Sequence, residues 1–538
     1  MRDRLSLIRL FAGLDYSCNQ GQQILENVRP LDVTQDSRRV GAGSLFFAIR
    51  GVARDGNDYV VSALEKGAVG VVLSSTVAVT EEIVSLASTK NAVVIFVDDV
   101  RLALAIASAR FYDSPSMDLV TVGVTGTNGK TSICWILTES LFRLSCPVIQ
   151  IGTLGVRMLG DSSDNGASEF TNTNVTTPDQ VELARYLALA RSKNLKAAVM
   201  EVSSHGVDQN RIAGIDFDAA IFTNLTRDHL DYHTAIEDYR EAKCRLFTEH
   251  LLRSRKSSPC AIINIDDEGG RYILESLRER SDSSGRRRGL EIVTYSALAS
   301  SQADVRLVSA CSSLKGMSLK VILRGVSVEL QTQLIGKFNI YNLLACLACL
   351  QSFGYSQKNI ASVLAEVPRV PGRLERVGEG DVNVFVDYAH TPDALVCAQN
   401  ALRESMSSGR LITVFGCGGE RDRGKRPLMA KAVCELSDYA VVTSDNPRRE
   451  EPMDIIGDIL PGFRAKSLRP SFSYDVIEDR KEAIFHAIKR ARPGDCVLVA
   501  GKGHETYQEV GQEKRSFCDR NVCREALYGH YGCKVIEP

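Results

Sequence analysis

The apolar positions of this chain fall into short runs separated by polar and Gly-rich breaks, and the spacing within and after each run predicts its elements. Residues 118–132 show the pattern most clearly. Leu119–Val124 is uncharged and rich in β-branched residues, which predicts a buried strand. The run breaks into Thr125-Gly126-Thr127-Asn128-Gly129-Lys130-Thr131-Ser132, after which Ile133, Trp135, Ile136, Leu137 and Leu141 recur at helical spacing. Before this stretch, strands are predicted at Ser44–Ile49, Gly70–Leu73 and Val93–Val97, with a helix over Tyr59–Lys66. After it, strands are predicted at Val148–Ile151, Ala197–Val202, Ala219–Thr223 and Ala261–Ile265, alternating with helical stretches such as Val181–Ala190. That alternation argues for a mostly parallel sheet. Leu319–Leu334 alternates like a hairpin turning at Arg324-Gly325, and Leu343–Leu350 reads as an apolar helix. The polar tracts Gly160–Glu169 and Arg280–Gly289 read as surface loops.

Four further runs near the C-terminal end each stop in a loop of unusual polar residues. Val384–Asp387 leads into Tyr388-Ala389-His390, and Leu411–Phe415 into Gly416-Cys417-Gly418-Gly419-Glu420-Arg421-Asp422. Ala440–Thr443 leads into Ser444-Asp445-Asn446-Pro447-Arg448, and Cys496–Ala500 into Gly501-Lys502-Gly503-His504-Glu505. Ligands of parallel α/β sheets bind beyond the carboxyl ends of the strands, so four such loops predict a shared binding edge.

The pattern predicts an α/β protein of three domains: residues 1–117, a central P-loop domain with a mostly parallel sheet at 118–370, and a Rossmann-like unit at 371–538. The first boundary falls at Tyr112-Asp113-Ser114-Pro115-Ser116. A length of 538 residues suits three to four domains. The net charge of -1 excludes a global field drawing the chain to nucleic acid or to a membrane. No apolar run reaches membrane-spanning length, and the mixed charges of Met1–Leu10 predict an amphipathic helix in place of a signal peptide. The 15 cysteines lack paired metal spacing, which fits a reducing cytoplasm. Cys346 and Cys349 lie within the apolar helix and read as small core residues, with a metal site as the lesser alternative.

Strand, Gly-rich turn and helix together are the setting of a phosphate loop. Gly126 and Gly129 let backbone N–H groups face a phosphate, Lys130 supplies a cation, and the Thr131 hydroxyl suits Mg²⁺. A Gly-rich turn that binds nothing is the alternative. Glu201-Val202-Ser203-Ser204-His205 and Asn224–His233 follow strands and offer ligands for Mg²⁺ ions, or else plain polar loop starts. Lys243 falls on the apolar face of a predicted helix, Ile236–Phe247, with Tyr239 and Leu246. Lysine is rarely buried unless paired, so Lys243 snorkels to solvent, has a partner, or is chemically neutralised. The hydroxyls of Thr173-Asn174-Val175-Thr176-Thr177-Pro178 serve either as a helix N-cap or as holders of a second anionic substrate.

Together these motifs resemble the Mur ligase family of ATP-dependent amide-forming enzymes of bacterial cell-wall synthesis. The resemblance rests on Thr125–Ser132, Thr176-Thr177-Pro178, Glu201–His205, Asn224–His233, Lys243, Gly336–Asn342, Pro371-Gly372-Arg373, Asp387–His390 and Gly501–Glu505. Within the family, Thr34–Val40, Gly416–Pro427 and Asp445–Arg448 are similar to members that add a diamino acid to the UDP-linked muramoyl dipeptide.

The resemblance implies a reaction. ATP phosphorylates the D-glutamate side-chain carboxylate of UDP-N-acetylmuramoyl-L-Ala-D-Glu, and an amine of the diamino acid then attacks the acyl phosphate. It also implies roles. Gly126, Thr127, Asn128, Gly129, Lys130, Thr131, Ser132, Asn339, Arg373, Asp387 and His390 would surround ATP. Thr131 and Glu201 would hold one Mg²⁺, and His229 with a carbamylated Lys243 a second. Ser37, Thr176, Thr177, Ser203, Gln209 and Arg211 would hold the UDP-sugar peptide. Arg421, Asp445, Asn446, Pro447, Arg448, Gly501 and Glu505 would form the amino-acid pocket. Val52-Ala53-Arg54 departs from the polar residues often found at that place. The Asp-Asn-Pro-Arg loop points to meso-diaminopimelate, with lysine or ornithine as alternatives. A cytoplasmic monomer is expected, with a hinge near Arg369–Gly372. The competing functions are a folylpolyglutamate synthase-like ligase and a nucleotide-dependent binding module without ligase activity.

Overall fold

The structure, a computed structural model, describes all residues except 1–3, 20–21, 52–53, 161–169, 172, 174, 227–231, 234, 285–288, 379, 465–470 and 532–538. The chain forms two compact units, Met1–Tyr295 with Ala348–Phe353, and Ser296–Leu347 with Gly354–Pro538.

The first unit opens with a five-stranded sheet of β1 (Tyr16–Cys18), β2 (Asp32–Thr34), β3 (Ser44–Phe47), β4 (Gly70–Ser74) and β5 (Val93–Val97), in the order β1-β5-β4-β3-β2. It continues with β6 (Val120–Thr125), β7 (Val148–Gly152), β8 (Gly155–Leu159), β9 (Ala197–Glu201), β10 (Ala219–Phe222), β11 (Cys260–Asn264) and β12 (Glu291–Ser296). These run in the order β12-β11-β10-β6-β9-β7-β8, all parallel except the β7–β8 hairpin. β6 lies in the middle of this sheet, which explains its uninterrupted apolar run: neither face of a covered parallel strand meets water. Val122 and Val124 are wholly buried.

Register decides what gathers at the carboxyl edge. Val124 stands opposite Glu201, Thr125 opposite Phe222, and Ile151 opposite Met200. The ends of β6, β9, β10 and β7 therefore bring Gly126, Glu201, Thr223-Asn224 and Gly152-Thr153 to one place.

The second unit holds β13 (Val305–Ser313), β14 (Gly316–Leu323) and β15 (Val326–Thr332), an antiparallel meander that turns at Arg324-Gly325 as the alternation predicts. Both turn residues have positive φ, 48° and 85°, the geometry that suits a two-residue hairpin. Next come β16 (Glu375–Val377), β17 (Asn383–Asp387), β18 (Leu411–Phe415), β19 (Tyr439–Val442), β20 (Ser473–Val476) and β21 (Cys496–Ala500), ordered β16-β17-β21-β18-β19-β20. A separate hairpin pairs β22 (Tyr507–Val510) with β23 (Glu513–Ser516). Asp387 pairs with Ala500 and Phe415 with Val442 across parallel strands, so all four polar loops leave one edge.

Two readings change. Arg280–Gly289 is not a loop throughout: the helix Glu268–Ser284 runs through Arg280, because Ile273 and Leu277 bury one face while Arg and Glu are good helix formers on the other. The helix carrying Lys243 ends at Arg245 and continues as a π-helical turn, Leu246–Leu251. Of the tract Gly160–Glu169, residues 161–169 lie outside the described residues. Cys346 and Cys349 are both wholly buried, as core residues should be.

Candidate functional site

In the first unit the loop after β6 forms a backbone cradle. Gly126 and Gly129 take φ of 142° and 90°, which side chains seldom adopt. A Cβ on Gly126 would lie 1.8 Å from Thr223 Oγ1, so glycine is required there by contact as well as by conformation. The loop following β10 braces it. Thr127 N–H donates to Asn224 O at 2.8 Å, Asn128 N–H to Asn224 Oδ1 at 3.0 Å, and Thr223 Oγ1 to Asn128 O at 2.6 Å. The helix Lys130–Arg143 begins there, so its N-terminal dipole opens toward the loop. Lys130 Nζ donates to the Gly126 and Thr127 carbonyls, at 2.8 Å each.

A second cluster adjoins the helix start. Thr131 Oγ1 donates to Glu201 Oε2 at 3.0 Å, and Thr153 donates to Glu201 through N–H at 2.8 Å and through Oγ1 at 3.1 Å. Gly152 leaves the room this needs, since a Cβ there would lie 2.3 Å from Glu201 Oε1. The donors are all oxygens, the set that Mg²⁺ prefers; Mg²⁺ commonly keeps several waters and substrate phosphates, so one carboxylate and one hydroxyl suffice. Among the described residues no three His, Cys, Asp or Glu side chains cluster as a self-sufficient metal cage.

Lys243 does not snorkel. It is 1% exposed, its Nζ donates to Gly126 O at 2.8 Å, and it stands 4.3 Å from the centroid of the Tyr239 ring. The Tyr239 hydroxyl in turn lies 3.2 Å from Thr127 Oγ1. Lys130, Thr131, Glu201 and Lys243 thus surround a single loop. His229, expected beside them, lies outside the described residues, as do its neighbours over 227–231, half of the stretch Asn224–His233.

The threonines before the helix Gln180–Ser192 are not its cap; Asp179 is, accepting from Glu182 N–H. Thr177 Oγ1 donates to Glu201 O at 3.0 Å, lies 3.1 Å from Ser203 Oγ, and accepts from Ser203 N–H. Thr176 Oγ1 lies 3.2 Å from Thr153 Oγ1. Arg211 donates to Thr177 O at 2.5 Å and to Gln209 Oε1 at 2.8 Å, and its burial lowers the guanidinium's proton affinity. Thr176, Thr177, Ser203, Gln209 and Arg211 therefore form one connected patch beside Glu201. Ser37 stands in the turn after β2, where its carbonyl accepts from Lys66; among the described residues no hydrogen bond joins it to that patch. Val52 and Ala53 lie outside the described residues, and so does Asn174.

The second unit carries the remaining residues. Asn339 is buried and donates to Ile335 O. Asp387 accepts from the amides of Leu374 and Ala389 at 2.7 Å each; burial raises its carboxyl above the usual range, opposed by Arg373 and these amides. The Arg373 guanidinium stacks 4.7 Å from the Tyr388 ring, which meets His390 at 4.7 Å.

The loops after β19 and β21 interlock. Asn446 Nδ2 donates to Glu505 Oε2 at 3.0 Å, and a Cβ on Gly501 would lie 2.3 Å from Asp445 Oδ2. Arg448, at φ 52°, donates to Gly419 O at 2.8 Å and pairs with Glu509 at 2.9 Å. Arg421 stays exposed in the neighbouring loop.

The sequence reading missed three supports here. Lys502, 0% exposed, binds Asn446 Oδ1 at 2.8 Å and Glu505 Oε2 at 3.0 Å. Arg480 pairs bidentately with Asp519, both fully buried, and also donates to Ser444 O and Ala500 O, the carbonyls that begin the two loops. The partners lie far apart in the chain, and only the burial shows them.

Comparison with known proteins agrees with this geometry. Residues 32–112 match the Mur ligase family catalytic domain, 124–350 the Mur ligase middle domain, and 372–503 the Mur ligase glutamate ligase domain. The chain is 41% identical over 506 residues to UDP-N-acetylmuramoyl-L-alanyl-D-glutamate--2,6-diaminopimelate ligase of Geobacter metallireducens, covering 91% of this chain and 93% of the relative. It is 41% identical over 497 residues to the protein of that name from Chromobacterium violaceum, covering 92% and 94%. A solved structure bearing the same name superposes with a TM-score of 0.70 at 30% identity, over 98% of this chain and 99% of that one. A folylpolyglutamate synthase of Mycobacterium tuberculosis shares the fold at 17% identity and a TM-score of 0.57, over 81% of this chain and 96% of its own. With family models matched across three segments of its length, and 41% identity over more than nine-tenths of it to named members, the chain belongs to the Mur ligase family.

Proposed function

We propose that the protein adds meso-2,6-diaminopimelate to the D-glutamate side-chain carboxylate of UDP-N-acetylmuramoyl-L-Ala-D-Glu, with ATP converted to ADP and phosphate. The observation that carries this reading is the relatives' shared name at 41% identity over more than nine-tenths of the chain. The arrangement of residues supports it.

The glutamate carboxylate takes the terminal phosphoryl group of ATP and ADP leaves. The diamino acid's amine then attacks the acyl carbon and loses a proton, and the tetrahedral adduct expels phosphate as the amide forms. Both steps gather negative charge on phosphoryl oxygens. Amides of the Gly126–Thr131 loop, and the Lys130 ammonium once it turns from the Gly126 and Thr127 carbonyls, would offset it. Thr131 and Glu201 would hold Mg²⁺, which supplies further charge stabilisation when bound. His229 and Lys243 as its carbamate would serve a second ion; carbamylation would turn a buried cation into an oxygen ligand, which accounts for a lysine at this depth. Thr176, Thr177, Ser203, Gln209 and Arg211, with Ser37, would hold the UDP-linked peptide. Asn339, Arg373, Asp387 and His390 would frame the nucleotide.

Arg421, Asp445, Asn446, Pro447, Arg448, Gly501 and Glu505 would form the amino-acid pocket, with Arg448 gripping the distal carboxylate through two parallel hydrogen bonds. In this reading residues 1–117, 118–370 and 371–538 are the UDP-substrate, ATP and amino-acid domains of a cytoplasmic monomer. No helix among the described residues is long and apolar enough to cross a membrane.

Phosphate release should require ATP, the UDP-dipeptide and a diamino acid together. Release without the dipeptide would point to a nucleotide-driven binding module. Arg448→Ala should lose roughly ten- to a hundredfold in kcat/KM with diaminopimelate, and far less with lysine, since a hydrogen bond to a charged group is worth about 1.5–3 kcal/mol. Wild-type preference for lysine or ornithine would refute the amino-acid assignment.

A further inference from the structure

Lys502 has no assigned role, yet it is the most fully enclosed cation of the proposed amino-acid pocket. Its loop follows β21, and its side chain is 0% exposed. Lysine is seldom buried to this extent without a paired anion. The ammonium meets Glu505 Oε2 at 3.0 Å and Asn446 Oδ1 at 2.8 Å, and stands 5.7 Å from the Tyr507 ring centroid. Asn446 Oδ1 also accepts from Glu509 N–H at 3.0 Å, while Asn446 Nδ2 donates to the same Glu505 oxygen. Lys502 therefore fixes the rotamers of two pocket residues at once. Its ammonium also stands behind the Glu505 carboxylate, which with Asp445 is one of the two carboxylates of the proposed pocket open to an incoming ammonium.

The second ion pair of the pocket, Arg448 with Glu509 at 2.9 Å, has the same form: a cation already matched by an anion. Arg480 and Asp519 lock the loop origins beneath both pairs. The two pairs together bring no surplus charge. A head group carrying both an ammonium and a carboxylate can enter such a site with its charges matched, the carboxylate on Arg448 and the ammonium on Glu505. A chain ending in a lone ammonium brings an unmatched cation against one that cannot withdraw. Selectivity of this kind needs a repulsive element as well as an attractive one.

We propose that Lys502 is a specificity-determining residue, whose buried ammonium positions Asn446 and Glu505 and excludes amino acids that end in an ammonium without a carboxylate. The proposal rests on the reading of this pocket as the diamino-acid site. Lys502→Met removes the charge at similar length, Lys502→Gln keeps a donor for Asn446, and Lys502→Arg keeps the charge. Steady-state kinetics on diaminopimelate and lysine, with circular dichroism to confirm folding, test it.

The neutral variants should raise KM for diaminopimelate at least about tenfold with a smaller change in kcat, while lysine efficiency holds or rises. The ratio of the two efficiencies should fall at least about tenfold, and Lys502→Arg should retain most of it. A proportional loss with both amino acids, or an unchanged ratio, would overturn the proposal. So would insolubility of both neutral variants, which would make Lys502 a core residue and nothing more. The wild type reports separately on the underlying reading. If it turns over lysine faster than diaminopimelate, the amino-acid assignment fails; if it prefers diaminopimelate and the Lys502→Met ratio does not move, only the role of Lys502 fails.

Discussion

Lys130 shows what one residue of this chain is placed to do. Its ammonium folds back on the Gly126 and Thr127 carbonyls of its own loop, the position from which it can turn to a phosphate. It belongs to none of the apolar clusters that hold the sheets. Lys130→Ala should therefore melt within a few degrees of the wild type and lose turnover by about a thousandfold, the scale of a missing transition-state donor. Near-normal phosphate release from the folded variant would count against a phosphate role. The place of Lys130, at the helix start after the Gly-rich loop, was legible because a motif surrounds it. Lys243 was legible in part: helical spacing put it on an apolar face, and the structure adds that Lys243 and Tyr239 are buried there and hydrogen-bonded to the loop after β6. Lys502 was named only as part of a strand-end loop, and its burial was not legible, because a lysine between two glycines looks solvent-exposed until Asn446, 56 residues away, is folded over it.

At the scale of elements, the strands were legible where both faces are buried, and their ends carry the residues of the proposed site. β6, β9, β10, β17, β18, β19 and β21 all appear within a residue or two of their predicted bounds, because parallel strands read as unbroken apolar runs. Short or exposed strands such as β1 and β20 leave no such run, nor does the buried β8, which Arg157 interrupts, and none was foreseen. The hairpin β7–β8 matters most among these, since its first strand ends in Gly152. Gly152→Ala would drive a methyl into the Glu201 carboxylate, which three hydrogen bonds to Thr131 and Thr153 hold in place. A displacement of about 1 Å at a reacting centre can cost about a hundredfold in rate, so the variant should fold, turn over about a hundredfold more slowly, and need more Mg²⁺ for half-maximal rate. An unchanged Mg²⁺ requirement would count against Glu201 as a holder of the proposed Mg²⁺.

The π-helical turn after Lys243 makes a different prediction. Burial lowers His250 in this turn to about 4 from 6.5, and its Nε2 finds no hydrogen-bond partner among the described residues. A depressed histidine costs the folded state nothing above pH 6.5. As pH falls toward 4 the unfolded chain takes up the proton first, and stability drops by about 2–3 kcal/mol over that window. His250→Leu should lose less stability than the wild type between pH 7 and pH 4.5, by about that amount in urea unfolding; equal losses would mean His250 titrates normally.

Over the whole molecule, the question is where one cooperative unit stops and the next begins. The Pro/Gly joint near Pro371-Gly372 suggests a boundary there by composition, yet the C-terminal core reaches further back along the chain. Ile335, 2% exposed, packs in one cluster with Phe385, Leu395, Leu402 and Phe415, all beyond residue 371. Ser312 and Lys337 reach the helix Pro392–Ser405 as well, through Ser405 and Glu404. Sequence patterning marks strands and helices but not which side of a joint an isolated apolar residue will serve, so this allegiance was not readable beforehand. It has a consequence for local stability. Truncating a buried isoleucine to alanine costs about 2–5 kcal/mol, and the loss falls on the unit whose core the side chain fills. Ile335→Ala should thus speed hydrogen exchange of the β17, β18 and β21 amides by at least about tenfold, while β6 and β9, whose core is built from Ile151, Met200 and Phe217, keep their wild-type protection. Uniform acceleration across both sets of strands would show that the chain unfolds as one body; acceleration confined to β6 and β9 would assign Ile335 to the other core.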